Sequence, residues 1–111
     1  MDLVIKVGKS IIKLSLEDVY FVTTHLERPH YLIFVVRDGV YESPGSLNEV
    51  EVEAGNLLLR CHRKYLVNPS KIRGLDFEKR LILFREKNVS DISCSRRHFS
   101  AIRLKCLEYK E

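Results

Sequence analysis

Apolar and polar residues alternate from the first residues of the chain. Positions 2–7 and 10–16 (Asp2-Leu3-Val4-Ile5-Lys6-Val7, Ser10 to Leu16) carry the period-two pattern of half-buried strands. Between them Val7-Gly8-Lys9-Ser10 predicts a hairpin turn, because Gly8 tolerates positive φ. Glu17-Asp18 makes a brief polar break before Val19-Tyr20-Phe21-Val22-Thr23-Thr24, a run of β-branched and aromatic residues suited to a pleated surface. His25 to His30 reads as a loop, since Pro29 has no amide proton and disfavours helix at Arg28. Tyr31 to Arg37 resumes as a strand, Asp38-Gly39 is a two-residue hairpin signal, and Val40 to Ser43 returns. Ser46 to Ala54 predicts a short helix capped by Ser46 with Glu49 three residues on, ended by Gly55, its apolar side made of Leu47, Val50 and Ala54.

The second half continues in the same style. Leu57 to Asn68 reads as one extended stretch bent near His62-Arg63. Lys71 to Phe77 and Arg80 to Phe84 read as strands around Glu78-Lys79, and Val89 to Cys94 as a last short strand. After Ser95, Phe99, Ile102, Cys106 and Tyr109 recur at spacings of three, four and three, a helix with one core-facing stripe. About eight short strands, one small helix and a C-terminal helix predict a mostly β, antiparallel fold forming a single domain over residues 1–111, with no repeat, low-complexity tract or linker.

Composition narrows the class. With 45% hydrophobic and 31% charged residues the chain reads as globular, and no apolar run approaches the ~20 residues of a membrane span. The N-terminus alternates like a strand and lacks a signal-peptide layout, so the cytoplasm is the expected compartment. Three cysteines (Cys61, Cys94, Cys106) with no CxxC pair suggest buried free thiols rather than disulfides or a zinc ribbon. Cys61-His62 without a second spaced pair is poor metal-ligand geometry, so no metal or cofactor is expected. Scattered acids, no Gly-rich phosphate loop and no nucleophile with an evident His partner argue against an enzyme.

Charge is distributed unevenly. Residues 1–59 hold 5 Lys/Arg against 9 Asp/Glu, whereas residues 60–111 hold 14 against 6. A basic second half suits a phosphate-binding face. Its densest stretch, Leu59-Arg60-Cys61-His62-Arg63-Lys64-Tyr65-Leu66-Val67-Asn68, is basic at one end and core-like at the other, which places cations on a stiff edge. His62 reads as a hydrogen-bonded structural histidine and Asn68, before Pro69, as a turn residue. Arg96 and Arg97 occupy a helix's first turn, where cations oppose the dipole by ~0.3–1 kcal/mol each, a placement that hints at a role beyond stability. Cys61 and Cys94 lie near arginines, which lower thiol pKa, and oxidation there is expected to hinder binding.

These residues resemble a known family. Arg60-Cys61-His62-Arg63-Lys64-Tyr65-Leu66-Val67-Asn68, then Ile72 and Leu75-Asp76, then Ile92-Ser93 with Ser95-Arg96-Arg97, are similar to the LytTR-type DNA-binding domain, the output half of certain bacterial response regulators. Asp18-Val19-Tyr20-Phe21 and Gly45-Ser46-Leu47-Asn48-Glu49 fit the same pattern, so the resemblance spans nearly the whole chain. It implies an elongated sandwich of small antiparallel sheets that reads double-stranded DNA through loops and strand ends. It also implies promoters with paired direct repeats, each bound by one domain; separately from the resemblance, the isolated domain is expected to be a monomer. By resemblance, His30 stands at a base-contacting position in the early loop, Arg63 and Lys64 approach the duplex between two major-groove insertions, and Arg97 with Arg96 opens the last helix at the DNA. An arginine fork suits guanine O6 and N7, whereas Arg60 and Lys64 suit phosphate. The loop before His30 departs from the pattern through Pro29 and an extra residue, leaving Arg28 and His30 as alternative base readers. No receiver-type segment precedes Met1, so an excised output domain and a free-standing one are both open. The rival reading is a β-sandwich interaction module whose basic face binds an acidic partner.

Overall fold

The structure, a computed structural model, describes residues 1–108. Its elements run β1 (Asp2–Val7), β2 (Ser10–Ser15), β3 (Val19–Thr24), β4 (Tyr31–Val36), β5 (Gly39–Pro44), α1 (Leu47–Ala54), β6 (Leu59–His62), β7 (Tyr65–Val67), β8 (Ile72–Asp76), β9 (Leu81–Phe84), β10 (Ile92–Ser93) and α2 (Arg96–Glu108). Three antiparallel sheets result: the β1-β2 hairpin, a central five-stranded sheet in the order β5-β4-β3-β7-β6, and a three-stranded sheet in the order β10-β9-β8. The molecule is elongated, 41 × 29 × 27 Å.

The central sheet is covered on both faces, and β3 explains how. A register shift between Val19 and Phe21 turns Tyr20 and Phe21 toward the same side, while Val19 and Val22 face the other. Val19 and Val22 join Leu32, Phe34 and Leu66 under the β1-β2 hairpin and α1. Tyr20 and Phe21 meet Ile82, Phe84, Ile92 and Ile102 from the small sheet and α2. A continuous apolar run, rather than a strictly alternating one, is what a strand buried on both faces requires.

Local chemistry sets the element ends. Ser46 Oγ accepts the Glu49 N–H at 3.3 Å and donates to the Glu49 carboxylate at 2.9 Å, closing the start of α1, and Gly55 ends it at φ 59°. Asp76 Oδ1 accepts the N–H groups of Glu78 and Lys79, both at 3.0 Å, and shapes the β8-β9 turn with Arg80 at φ 52°.

Two expectations about the second half are corrected. The stretch 57–68 is not one bent strand but a tight hairpin, β6 and β7, turning at Arg63-Lys64 with a register shift next to Cys61. That turn lacks the Asn-Gly or Asp-Gly pair that usually marks a hairpin. The His62 ring supplies the missing partner instead, its Nδ1 accepting the Lys64 N–H at 3.1 Å. Of residues 89–94 only Ile92–Ser93 is strand: Val89 donates to the Glu86 carbonyl at 3.1 Å in a turn, though its side chain is buried. Along α2, Ile102 is buried and Phe99 and Cys106 pack at the core's margin, while Tyr109 lies outside the described residues.

Candidate nucleic-acid interface

Three segments far apart in sequence meet at one end of the central sheet. The loop His25 to His30 leaves β3 there, and the Thr24 N–H donates to the Lys64 carbonyl at 3.2 Å, which sets the β6-β7 turn beside the base of that loop. The Ser95 N–H donates to the Cys61 carbonyl at 2.8 Å and seats the first turn of α2 against β6. The order along this rim is therefore loop 25–30, turn 63–64, then Arg96 and Arg97.

The loop is stiffened by one imidazole. His25 Nδ1 accepts the N–H groups of Glu27 and Arg28, both at 3.0 Å, so its proton sits on Nε2 and is donated to Glu42 Oε1 at 2.9 Å. Arg28 donates to the same Glu42 oxygen at 3.2 Å and stacks over the Tyr31 ring with its guanidinium carbon 3.6 Å from the centroid. These two partners, Arg28 first and His25 second, hold the Glu42 carboxyl below the usual range. Arg28 is thus engaged inside the loop. His30, at φ 61°, a left-handed conformation histidine tolerates better than most residues, is exposed and makes no side-chain bond among the described residues. At the loop's crest Leu26 is 89% exposed, a residue to which the sequence pattern assigned no task.

Arg60, expected at phosphate, turns inward instead. Its guanidinium bonds Glu51 Oε1 at 3.1 and 3.3 Å, Asn48 Oδ1 at 2.6 Å and the Arg63 carbonyl at 2.9 Å, and its side chain is only 16% exposed. It ties α1 to the rim turn and fixes the backbone from which Arg63 and Lys64 project. Nothing local in the sequence announces this pairing, because Asn48 and Glu51 lie on another element. With Arg28 and Arg60 so occupied, the side chains of His30, Arg63, Lys64, Arg96 and Arg97 are exposed and free of hydrogen bonds and ion pairs among the described residues. Glu42 and Glu51 are each matched by an arginine, whereas Glu27, in the loop itself, is exposed with its carboxylate unpaired among the described residues.

Two further histidines sit behind the rim. Burial first, then the neighbouring Arg63 and Lys64, pushes His62 below the ordinary imidazole pKa. Burial followed by Arg97 and Arg60 does the same to His98, whose Nδ1 lies 2.7 Å from Ser95 Oγ. Protonating His62 also sets an Nδ1–H against the Lys64 N–H it should accept. Both groups take up protons more readily unfolded, so their contribution to stability is complete above the unfolded value of ~6.5 and is lost as pH falls through the lower folded values. Urea melts from pH 8 to 5 are expected to show a plateau above pH 7 and declining stability below 6.5. That acid-side decline should shrink in a His62→Gln/His98→Gln protein.

The thiols are better shielded than their arginine neighbours suggested. Cys61 is 0% and Cys94 4% exposed. Hydrogen bonding with Cys94 and burial push the Cys61 thiol far up, whereas the bond from Cys61 holds Cys94 below its usual range. Alkylation of the folded protein at neutral pH is expected to modify the half-buried Cys106 while sparing Cys61, read by peptide mass.

An antiparallel β scaffold brings to one end the exposed, unpaired side chains of His30, of Arg63 and Lys64, and of Arg96 and Arg97, from three distant segments. The chain belongs to the LytTR family: the model of the LytTr DNA-binding domain matches residues 9–106. Among solved structures, the chain is similar to the LytTr DNA-binding domain of a Bacillus cereus protein described as a methyl-accepting/DNA response regulator, at 19% identity and TM-score 0.72, covering 94% of each chain. At that identity the likeness establishes the fold. No curated protein matches. The chain is a DNA-binding domain of the kind that serves as the output half of response regulators. Among the described residues no helix is long and apolar enough to cross a membrane.

Proposed function

We propose that this chain, a single domain over residues 1–111, binds specific duplex sites in the cytoplasm as the output domain of a bacterial transcription regulator. His30, Arg63, Lys64, Arg96 and Arg97 are the contacting residues. One observation carries this reading: His30, the cations Arg63 and Lys64, and the cations Arg96 and Arg97 come from three distant segments to one end of the scaffold, exposed and with their side chains unpaired among the described residues. His30 and Arg97 are the base readers at the two ends of the rim. Arg63, Lys64 and Arg96 are closer to phosphate anchors, which set register without reading sequence. Leu26 is suited to the thymine methyl, the apolar feature of the major groove. Arg28 and Arg60 serve instead as internal struts of the loop and the turn. A site made of direct repeats, each half bound by one monomeric domain, matches a rim of fixed polarity.

Selection from a random duplex pool tests the reading, an enriched motif supporting it and an unenriched pool sinking it. On the enriched site, Arg97→Ala is expected to lose ~1–3 kcal/mol of discrimination at one base position, whereas Lys64→Ala weakens all sequences about equally. Uniform losses in both variants would overturn the division into readers and anchors.

A further inference from the structure

The face of the molecule away from the rim carries a second feature that DNA contact does not use. A groove of about 510 Å³ runs between β8 and the second half of α2, floored by Leu75, Phe77 and Leu107 and edged by Arg73, Arg85 and Arg103. Among the described residues no carboxylate lines it, and Arg73 and Arg103 are the edge cations relevant to docking. Phe77 is 61% and Leu107 58% exposed, and the Arg103 guanidinium stacks over the Phe77 ring at 5.1 Å, so the basic edge is built onto the apolar floor. An apolar patch with a cationic border fits an apolar knob with an anionic one.

The chain itself carries such a knob. On the outer side of α1, Val52 is 82% exposed, Glu49 lies one turn before it on the same side, and the exposed Glu53 stands on the adjoining flank of the helix. Leu47, Val50 and Ala54, on the inner side of α1, pack with the β1-β2 hairpin on one face of the central sheet. Ile72, Leu75 and Cys106 around the groove belong to the core on the opposite face. Knob and groove are therefore on opposite sides of one molecule and can meet only between molecules.

We infer that the β8-α2 groove is a docking site for the α1 outer face of a second copy of this chain, making a head-to-tail contact. Such a contact joins two different patches and does not close on itself, so every copy in a row points the same way. The self-contact stands on the two surfaces alone; its use, lining up consecutive rims in one direction along a duplex, rests on the DNA-binding reading above. The contact is small and electrostatic at its border, so it is weak in free solution and sensitive to salt.

Two crippled variants separate this from other outcomes without any DNA. ¹⁵N-labelled Val52→Lys/Glu53→Lys protein keeps the groove but loses the knob; unlabelled Arg73→Glu/Arg103→Glu protein keeps the knob but loses the groove. Mixing them to about millimolar concentration at low ionic strength is expected to move backbone-amide resonances of β8 and of residues 103–107, several-fold less at roughly 0.5 M salt. The labelled protein titrated with unlabelled copies of itself should show no such movement. Dilution of the wild-type protein from the same concentration should shift the same amides in reverse, a reading that depends on neither variant. Unmoved amides in both experiments overturn the inference, as does movement confined to residues 25–30, 63–64 and 96–97, which would make the rim the self-contact.

Discussion

Raising salt from ~50 to ~200 mM is expected to weaken binding to the selected duplex by roughly 10²-fold, with a log–log slope set by about four phosphate-facing cations. The rim offers Arg63, Lys64, Arg96 and Arg97 unpaired, and residues 60–111 as a whole hold 14 Lys/Arg against 6 Asp/Glu. Cations already engaged with carboxylates release no counterions on binding, so Arg28 and Arg60 should add little to the slope. A Lys64→Ala protein should flatten it by about one unit, and an Arg28→Ala protein should leave it nearly unchanged while loosening the loop. Fluorescence anisotropy at five or six salt concentrations gives the slope directly. A flat response would mean that the rim does not meet phosphate.

The same comparison of paired and unpaired cations marks the boundary of what the chain discloses before it is folded. Val19-Tyr20-Phe21-Val22 is legible as a strand, Ser46 with Glu49 as a helix start and Asp38-Gly39 as a hairpin, because each depends on neighbours within a few residues. The gathering of loop 25–30, turn 63–64 and the head of α2 was legible only through family resemblance. It is made by the Thr24–Lys64 and Ser95–Cys61 backbone bonds, which join positions tens of residues apart. Charge counting could not distinguish Arg60 from Arg63, since it sees the cation and not Glu51 and Asn48 opposite it. Pro29 and the extra residue of the loop left Arg28 and His30 as alternative readers, and the sequence does not disclose that Glu42 on β5 pairs with Arg28. The β6-β7 hairpin was hidden because a histidine ring does the work usually left to Gly or Asn. Leu26 has no pattern to belong to, being the one large apolar side chain of its loop.

Asn68→Ala is expected to cost ~2–4 kcal/mol of stability, lowering the melting temperature by about 10–20 °C for a domain of this size. The Asn68 side chain is nearly buried, at 5% exposure, and makes three hydrogen bonds to named partners. Nδ2 donates to the Leu16 carbonyl at 3.1 Å, while Oδ1 accepts the Ser70 N–H at 3.0 Å and the Ser70 hydroxyl at 2.7 Å. Its own N–H donates to the Tyr20 carbonyl at 3.0 Å, so the residue pins the end of β7 to the chain before β3. Alanine takes one of two donors from the carbonyl of Leu16, a residue 1% exposed, leaving it the Val19 N–H, and frees the turn at Pro69. Aspartate should be at least as damaging, because a carboxylate oxygen then faces that carbonyl where an amide N–H belongs. Asn68 sits at the end of β7 opposite Arg63 and Lys64, so the folded fraction of the Ala variant should bind the selected duplex with unchanged affinity. Loss of affinity at an unchanged melting temperature would instead make Asn68 part of the DNA surface.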